Sequence, residues 1–278
     1  MTDKELQELK AFATAIRKEI VTMIAGAGSG HPGGSLSSAD ILTVLFRKIM
    51  KYNPANPKWS ERDRFILSKG HAAPVLYAIL AHCGYFPIDV LKTFRQYGSI
   101  LQGHPDSKKV PGVEISTGSL GQGLSIGGGM ALAAKTLTLP WHTYVLLGDG
   151  EIEEGQVWEA AMAISHYKLG NLTAIVDNNG LQIDGTVAQV MNVQPIADKF
   201  AAFGWNTIEI DGHDYSQIEL AFHEAMKDTD KPTAIIAKTI KGKGISFMEN
   251  KVEYHHAKGL SKELLDQALS DLNKGLEG

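Results

Sequence analysis

Two uninterrupted apolar segments, residues 143–147 (TYVLL) and 172–176 (LTAIV), constrain the fold of this chain more than any other feature. Continuous apolar runs of this length are typical of parallel strands that are buried on both faces of a sheet. Between them, residues 158–169 carry apolar side chains at helical spacing. The region therefore predicts a strand–helix–strand unit whose two strands run parallel and lie side by side.

The rest of the chain repeats this alternation. Its patterns predict helices over residues 3–25, 38–50, 215–226 and 262–272, and strands over residues 64–67, 206–210 and 233–237. A glycine-rich break, GAGSGHPGGS, separates the first two helices. We expect a single α/β domain over residues 1–278, in which helices flank both faces of a parallel sheet.

Composition narrows the class of protein. The chain is 44% hydrophobic and 21% charged, as in soluble globular proteins. A net charge of −4, with its lysines and arginines dispersed, predicts neither a nucleic-acid partner nor an anionic membrane partner. No apolar run approaches the roughly 20 residues that span a bilayer, and the polar N-terminus does not resemble a signal peptide. The single cysteine, Cys83, favours a reducing, cytoplasmic location.

A candidate metal site follows the two apolar segments. The first is followed by Gly-Asp-Gly, which contains Asp149, and the second by Asp-Asn-Asn-Gly-Leu, which contains Asn179. Carboxyl ends of adjacent parallel strands share one sheet edge, where open α/β sheets bind ligands. A carboxylate, an amide oxygen and a backbone carbonyl suit Mg²⁺ or Ca²⁺, which would bind together with ligand phosphates. Alternatively, Asp149 caps a helix that begins near Glu151.

A second glycine-rich loop, GSLGQG, precedes the helical stretch that ends at Leu137. Such loops often hold phosphates or cofactors, although small residues also permit tight helix packing. The glycine spacing is one residue too long for a dinucleotide fingerprint, and no acidic residue follows at the position that would bind a ribose. An NAD-dependent dehydrogenase is therefore disfavoured.

Nine of the ten histidines fall into two groups. His82, His142, His166 and His223 occur in helical or turn contexts and are interpreted as surface or core residues. His31, His71, His104 and the pair His255-His256 lie in loop segments, mostly rich in glycine or proline, where functional side chains are often mounted. Histidines there can donate hydrogen bonds to sugar hydroxyls or transfer protons near neutral pH. No pair has zinc-ligand spacing such as HxxxH.

Several motifs occur in one order: GSGHPGGS, RFILSKGHAAPVLYA, LQGHP, TGSLGQG, LLGDGEIEEGQVWEA, VDNNGLQ and KGKG…HHAKGL. Together they closely resemble the N-terminal domain of transketolases, over about residues 10–260. The resemblance implies thiamin diphosphate as cofactor, Mg²⁺ as metal (Ca²⁺ or Mn²⁺ could substitute), and transfer of a two-carbon ketol unit between sugar phosphates.

The resemblance also implies roles for individual residues. The implied metal ligands are Asp149, Asn179 and the backbone carbonyl of Leu181. The implied cofactor-binding residues are His71, Gly118, Ser119, Leu120, Gly150, Asn179, Lys241 and His256. The implied catalytic residues around the reacting carbon are His31, His71, His104 and His256, the last preferred over His255 by its spacing to Lys258. Glu154 matches a glutamate at the family's subunit interface.

Transketolases of full length continue into a second domain that binds the aminopyrimidine, and this sequence ends soon after the first. We therefore expect a separate C-terminal subunit that carries the pyrimidine-binding domain, in an α₂β₂ heterotetramer. The alternatives are a transketolase-like enzyme for an unusual sugar, the α-subunit of a 2-oxo acid dehydrogenase, and a non-catalytic module that has kept the fold.

Overall fold

The fold is organised around one sheet of five parallel strands. The computed structural model describes residues 1–275 of the chain. The five strands are β1 (Arg64–Leu67), β2 (Thr143–Gly148), β3 (Leu172–Asn178), β6 (Asn206–Asp211) and β7 (Thr233–Lys238). They lie in the order β1-β2-β3-β7-β6, and every neighbouring pair is parallel. The predicted parallel α/β fold is confirmed; the predicted domain limit at residue 278 lies outside the described residues.

Helices cover both faces of the sheet. They are α1 (Asp3–Ala27), α2 (Pro32–Ser37), α3 (Ala39–Val44), α4 (Ala73–His82), α5 (Gln122–Leu137), α6 (Gly155–His166), α7 (Val187–Val190), α8 (Ile196–Ala202), α9 (Tyr215–Ala225) and α10 (Lys262–Lys274). A two-stranded hairpin, β4 (Leu181–Gln182) and β5 (Gly185–Thr186), follows β3. No helix in the described part of the chain is long and apolar enough to cross a membrane.

The position of strand β2 in the sheet explains why its run of apolar residues is continuous. Successive side chains of a strand point to opposite faces. Tyr144 and Leu146 join the hydrophobic cluster that includes α1, α3, α4 and α9, whereas Val145 and Leu147 join the cluster formed with α5, α6 and α8. All four are fully buried. A strand with a helical layer on each face has no position for a polar side chain facing solvent.

The glycine-rich break after α1 is shorter than the sequence predicts. Gly28 ends α1 in the left-handed conformation (φ 68°), and helix α2 then begins at Pro32, which occupies the first turn. Proline is favoured there because the first helical N–H groups have no intrahelical partner. The predicted helix over residues 38–50 corresponds to α3 followed by a π-helical turn at Leu45–Ile49, whereas α2 begins inside the predicted break.

Two glycines of α5 provide a matched test of how this layer packs. A Cβ atom at Gly127 would lie 2.5 Å from Val145 Cγ2 of β2, whereas one at Gly129 would meet no atom within 4 Å. Both Gly→Ala changes gain about 1 kcal/mol of helix propensity, and overpacking at Gly127 costs about 1–3 kcal/mol. We therefore expect the free energy of unfolding, measured in urea, to be lower for Gly127→Ala than for Gly129→Ala by the cost of overpacking. Equal stabilities would contradict this packing.

Candidate functional site

Asp149 and Asn179 lie at the carboxyl edge of the sheet, as the strand–helix–strand unit predicts. Strands β2 and β3 are paired up to Gly148 and Asp177, so the residues that follow each strand emerge side by side. The Asp149 carboxylate accepts hydrogen bonds from the backbone N–H groups of Gly150 and Gly180. These bonds join the loop after β2 to the loop after β3.

The helix expected directly after Gly150 begins later. A single 3₁₀ turn, Glu151–Glu153, follows the Gly-Asp-Gly segment, and α6 starts only at Gly155. The prediction that this helix begins near Glu151 is therefore wrong in position. Asp149 does not cap α6, because Glu154 occupies that position.

A cavity of about 240 Å³ opens at this edge of the sheet. Of the residues implied by the motifs, its lining includes His31, His71, Gly118, Leu120, Asp149, Gly150, Asn179, Leu181 and Lys241. His255 rather than His256 completes the lining. Ser119 is exposed and lines a neighbouring surface depression instead.

The histidines from four separate loops converge on the mouth of this cavity. The ring centroid of His31 lies 5.2 Å from that of His71, 5.7 Å from that of His255 and 4.7 Å from that of His256. His104 is more peripheral, 6.4 Å from His31 and exposed. Sequence spacing alone could not show this convergence, because the four segments are far apart in the chain.

Burial keeps three of these rings neutral, those of His31, His71 and His255. It lowers the pKa of His31 and of His255 to about 3, with further lowering from His256 and Lys241 respectively. The pKa of His71 also falls well below its ordinary value, through burial and then the charge of Lys69. Neutral imidazoles offer both a hydrogen-bond donor and an acceptor to a bound molecule.

Lys241 is buried in the cavity wall, with 3% of its surface exposed. Its ammonium group donates to the carbonyl of Leu181 at 2.7 Å and lies 3.0 Å from Nδ1 of His255. Burial lowers the pKa of Lys241 to about 8. The lysine thus links the β4 hairpin to the histidine segment across the cavity.

Asp149 is the acidic counterpart of this lysine. It is 2% exposed, and burial, reinforced by the charge of Asp177, raises its pKa to about 6. Within residues 1–275 no lysine or arginine lies within ion-pair distance of its carboxylate. The charge of Lys241 offsets this rise only in part, and a divalent cation would supply a positive charge in direct contact with the carboxylate.

The neighbouring oxygen atoms fit the same cation. Asn179 supplies a side-chain amide oxygen, and the carbonyl of Leu181 has a second lone pair besides the one that Lys241 occupies. Carboxylate, amide and carbonyl oxygens are the ligands that Mg²⁺ accepts, completed by water and phosphate oxygens. The residues present therefore fit a magnesium-bound phosphate ligand.

Sequence reasoning did not identify the buried groups that hold this site. Asp177, fully buried, accepts hydrogen bonds from Lys69, Ser37, Thr239 and the side-chain amide of Asn179. Burial alone would raise the pKa of Asp177, but Lys69 holds it below its usual value. The available signal was an acidic residue at the end of an apolar strand, an expensive position unless the charge is paired.

Glu151 is a second carboxylate that the sequence did not place. It is 3% exposed and accepts from the backbone N–H groups of Gly121 and Gly148 and from Ser68. Burial nevertheless raises its pKa. These bonds fix the GSLGQG loop against the end of β2, so the side chain is occupied with protein donors although it lines the cavity.

Arg95 was also missed, and it joins two of the histidine loops. Its guanidinium donates to Ser29, two residues before His31, and packs against Gly103, which precedes His104. Arg95 adopts a left-handed backbone conformation (φ 60°), which is uncommon for residues other than glycine. Its charge contributes, after burial, to the lowered pKa of His104.

The neutral histidines make the stability of the metal-free chain depend on pH. The pKa of His31 and His255 is about 3 in the fold and 6.5 ordinarily, so the unfolded chain binds more protons between those values. Stability from these residues is complete above about pH 6.5 and declines as the pH falls. Asp149, with its raised pKa, acts in the opposite direction between 3.8 and about 6.

Replacing one histidine isolates its contribution to the pH dependence of stability. When the pH drops from 7 to 5, the free energy of unfolding of wild type should fall. We expect this fall to be about 1 kcal/mol smaller in His255→Gln, after allowance for solvent screening. Urea unfolding at both pH values measures this difference. His223→Gln, at an exposed position of α9, is the control and should retain the wild-type pH dependence. The same pH dependence in all three proteins would contradict a neutral buried His255.

Comparison with known proteins identifies the family of this chain. The family model described as transketolase, thiamine diphosphate binding domain, matches residues 9–271. The 6-deoxy-6-sulfo-D-fructose transketolase subunit of a Clostridium species is 44% identical over 99% of both chains. One subunit of the apulose-4-phosphate transketolase of Phocaeicola vulgatus is 41% identical, over 98% of this chain and 96% of the relative.

A solved structure extends the comparison to a longer enzyme. The transketolase of Campylobacter jejuni superposes with a TM-score of 0.89 and 38% identity, over 98% of this chain and 43% of that enzyme. The resemblance inferred from the motifs is thereby confirmed. By sequence and by fold, this chain belongs to the transketolase family, as its thiamine-diphosphate-binding N-terminal domain.

Proposed function

We propose that this chain binds the diphosphate of thiamin diphosphate through Mg²⁺ and acts in ketol transfer together with a separate pyrimidine-binding subunit. The observation that carries the proposal is the buried carboxylate of Asp149, which makes no ion pair within the described residues, beside the oxygens of Asn179 and Leu181 in a cavity whose mouth is lined by histidines. These features supply one region for an anion-bound metal and another for a polar substrate.

Each part of the cavity has a distinct role in this proposal. Asp149, Asn179 and the Leu181 carbonyl would hold the metal, and Lys241 would contribute positive charge towards the phosphates. The cofactor-binding set would be His71, Gly118, Ser119, Leu120, Gly150, Asn179, Lys241 and His256, with His255 added because it lines the cavity. When bound, thiamin diphosphate supplies the nucleophilic carbon and electron sink that cleavage of a ketose requires.

The histidines would handle the sugar. Nδ1 of His31 is buried and has no hydrogen-bond partner within the described residues. Buried polar atoms are normally paired, so this nitrogen is available to a ligand hydroxyl. Five histidines would bind hydroxyls near the reacting carbon and transfer protons to and from these hydroxyls during the reaction. They are His31, His71, His104 and His256, together with His255.

A partner subunit is supported by two observations. Both relatives described above are named as subunits of transketolases. The segment beside the cavity also exposes Ile183, Val190 and Met191, which are 64%, 40% and 59% exposed. Apolar side chains exposed together are typical of interaction surfaces. We propose an α₂β₂ assembly in the cytoplasm, with Glu154 at the subunit interface.

The donor and acceptor sugars form the finer part of the proposal. A ketose phosphate donor and an aldose phosphate acceptor, as in the pentose phosphate pathway, are the first candidates. An unusual sugar is the second, because the two subunit relatives are named for a sulfonated fructose and for apulose 4-phosphate. The family match favours a transketolase over the α-subunit of a 2-oxo acid dehydrogenase.

The metal assignment predicts the effect of removing one carboxylate. We expect Asp149→Ala to weaken Mg²⁺-dependent binding of thiamin diphosphate by more than the roughly 10–100-fold that loss of an outer-shell partner costs. Isothermal titration calorimetry with and without Mg²⁺ measures this change. Asp184→Ala, at an exposed position in the same loop region, is the matched control and should bind normally. Wild-type affinity in Asp149→Ala would overturn the metal assignment.

Because the proposal divides the cofactor site between two subunits, it predicts that ketol transfer requires both. We expect ketol transfer from xylulose 5-phosphate to ribose 5-phosphate, with thiamin diphosphate and Mg²⁺, only when this chain is mixed with a pyrimidine-binding subunit from the same organism. A coupled spectrophotometric assay of each chain alone and of the mixture tests this. Activity of this chain alone would refute the need for a partner. Activity of the mixture only with another sugar would replace the substrate assignment.

A further inference from the structure

A buried cluster of charged and polar side chains lies outside the cavity, between α1, α3 and α9. Asp40, 3% exposed, accepts two hydrogen bonds from Arg17, at 2.8 and 2.7 Å, and one from the hydroxyl of Tyr215 at 2.6 Å. A fourth hydrogen bond joins it to Nδ1 of His213, at 2.8 Å. Burial alone would raise the pKa of Asp40, but Arg17 and His213 hold it well below its usual range.

His213 extends this cluster to the end of β7. Asp40 is ionised and can only accept, so Nδ1 of His213 carries the proton of the neutral ring. Its Nε2 is then an acceptor, and it receives the backbone N–H of Ile240 at 2.9 Å. The imidazole therefore connects a carboxylate anchored by α1 and α3 to one backbone amide.

A glycine permits this connection. Gly212, immediately before His213, donates its N–H to the carbonyl of Lys238 at 2.8 Å. A Cβ atom at this position would lie 2.5 Å from Cγ2 of Thr239 and 3.1 Å from the Lys238 carbonyl oxygen. The close approach of the two backbones thus requires glycine, and it brings His213 within reach of Ile240.

Ile240 directly precedes Lys241 of the cavity wall. The turn around it is held at each residue: Thr239 N–H bonds to the Asn178 carbonyl, Asn250 N–H to the Lys241 carbonyl, and Gly242 N–H to the Gly33 carbonyl. Among these contacts His213 is the side chain that accepts from the turn. Loss of that acceptor would leave the Ile240 N–H unpaired in a part-buried position, which favours a shift of the turn.

We propose that His213 is a positioning residue, which fixes the backbone of Ile240 so that the Lys241 ammonium reaches the diphosphate end of the cavity. This inference rests on the proposed function, since it concerns cofactor binding. Arg17, Asp40 and Tyr215 orient His213, and His213 orients Lys241. A displacement of about 1 Å at such a group is enough to cost a large factor in binding or rate.

Two substitutions separate positioning from general support of the fold. Asn places its amide at the distance of Nδ1, so His213→Asn retains a donor to Asp40 and loses the acceptor for Ile240. Gln places its carbonyl at the distance of Nε2, so His213→Gln retains that acceptor. His223→Asn, at an exposed position of α9, controls for the loss of a histidine.

The chain would be tested by calorimetric binding of thiamin diphosphate with Mg²⁺ and by amide hydrogen exchange at Ile240 and Gly242, whose N–H groups are both hydrogen-bonded. For His213→Asn we expect affinity to fall about tenfold or more, as for other outer-shell partners, and both amides to exchange faster. His213→Gln and His223→Asn should resemble wild type in both measurements.

Three results would contradict either the positioning role of His213 or the proposed function on which it rests. Normal affinity and exchange in His213→Asn would overturn the role of His213. Equal losses in His213→Asn and His213→Gln, with equal falls in melting temperature, would reduce His213 to a structural residue. If wild type does not bind the cofactor, the proposed function fails, and amide exchange alone decides whether His213 holds this turn.

Discussion

The buried pair of Lys69 and Asp177 is the interaction on which the site and much of the sheet edge depend. Lys69 follows β1, Asp177 lies in β3, and both are almost completely removed from water. Lys69 also donates to the carbonyl of Gly34 and the hydroxyl of Ser38, which attaches α2 and the start of α3 to the sheet. Removing one partner of a buried pair leaves an uncompensated charge, which typically costs about 3–5 kcal/mol. The carboxyl edge therefore keeps one arrangement.

The same buried pair also fixes residues of the cavity. Asp177 accepts from the amide of Asn179 and from Thr239, so the loops after β3 and β7 are both fixed by one carboxylate. Thr239 is followed within two residues by Lys241, whose backbone position is also fixed from the far side through His213. Asn179 and Lys241 thus share a rigid foundation, although they are far apart in sequence. Sites held on such foundations retain the geometry that binding requires.

Charge is distributed unevenly around the cavity. Its floor holds a carboxylate, Asp149, whose pKa is raised, while Lys241 beside it has a lowered pKa. Burial thus disfavours the charged form of both groups in the ligand-free chain. The mouth is lined by rings that burial keeps neutral, including His31 and His255. A bound cation and phosphate would complement the floor, whereas the mouth is suited to hydroxyl groups. The same pocket can therefore serve both ends of the proposed chemistry.

The sequence by itself determined the strands, their parallel pairing and the family. Apolar runs such as β2 reflect burial on both faces, which is a local property of each strand, and the Gly-Asp-Gly segment placed Asp149 and Asn179 because adjacent parallel strands end together. It predicted less well where helices begin: α6 starts at Gly155 because a 3₁₀ turn intervenes.

Only the tertiary structure decided which distant residues meet. The pairing of Lys69 with Asp177, the placement of His255 in the cavity wall while His256 lies outside it, and the contact of His213 with Ile240 each join segments separated by many residues. Their sequence neighbourhoods carry no periodic signal, because such contacts depend on how loops from several strands pack at one edge. Local patterns specify elements, whereas the long-range packing of those elements specifies the site.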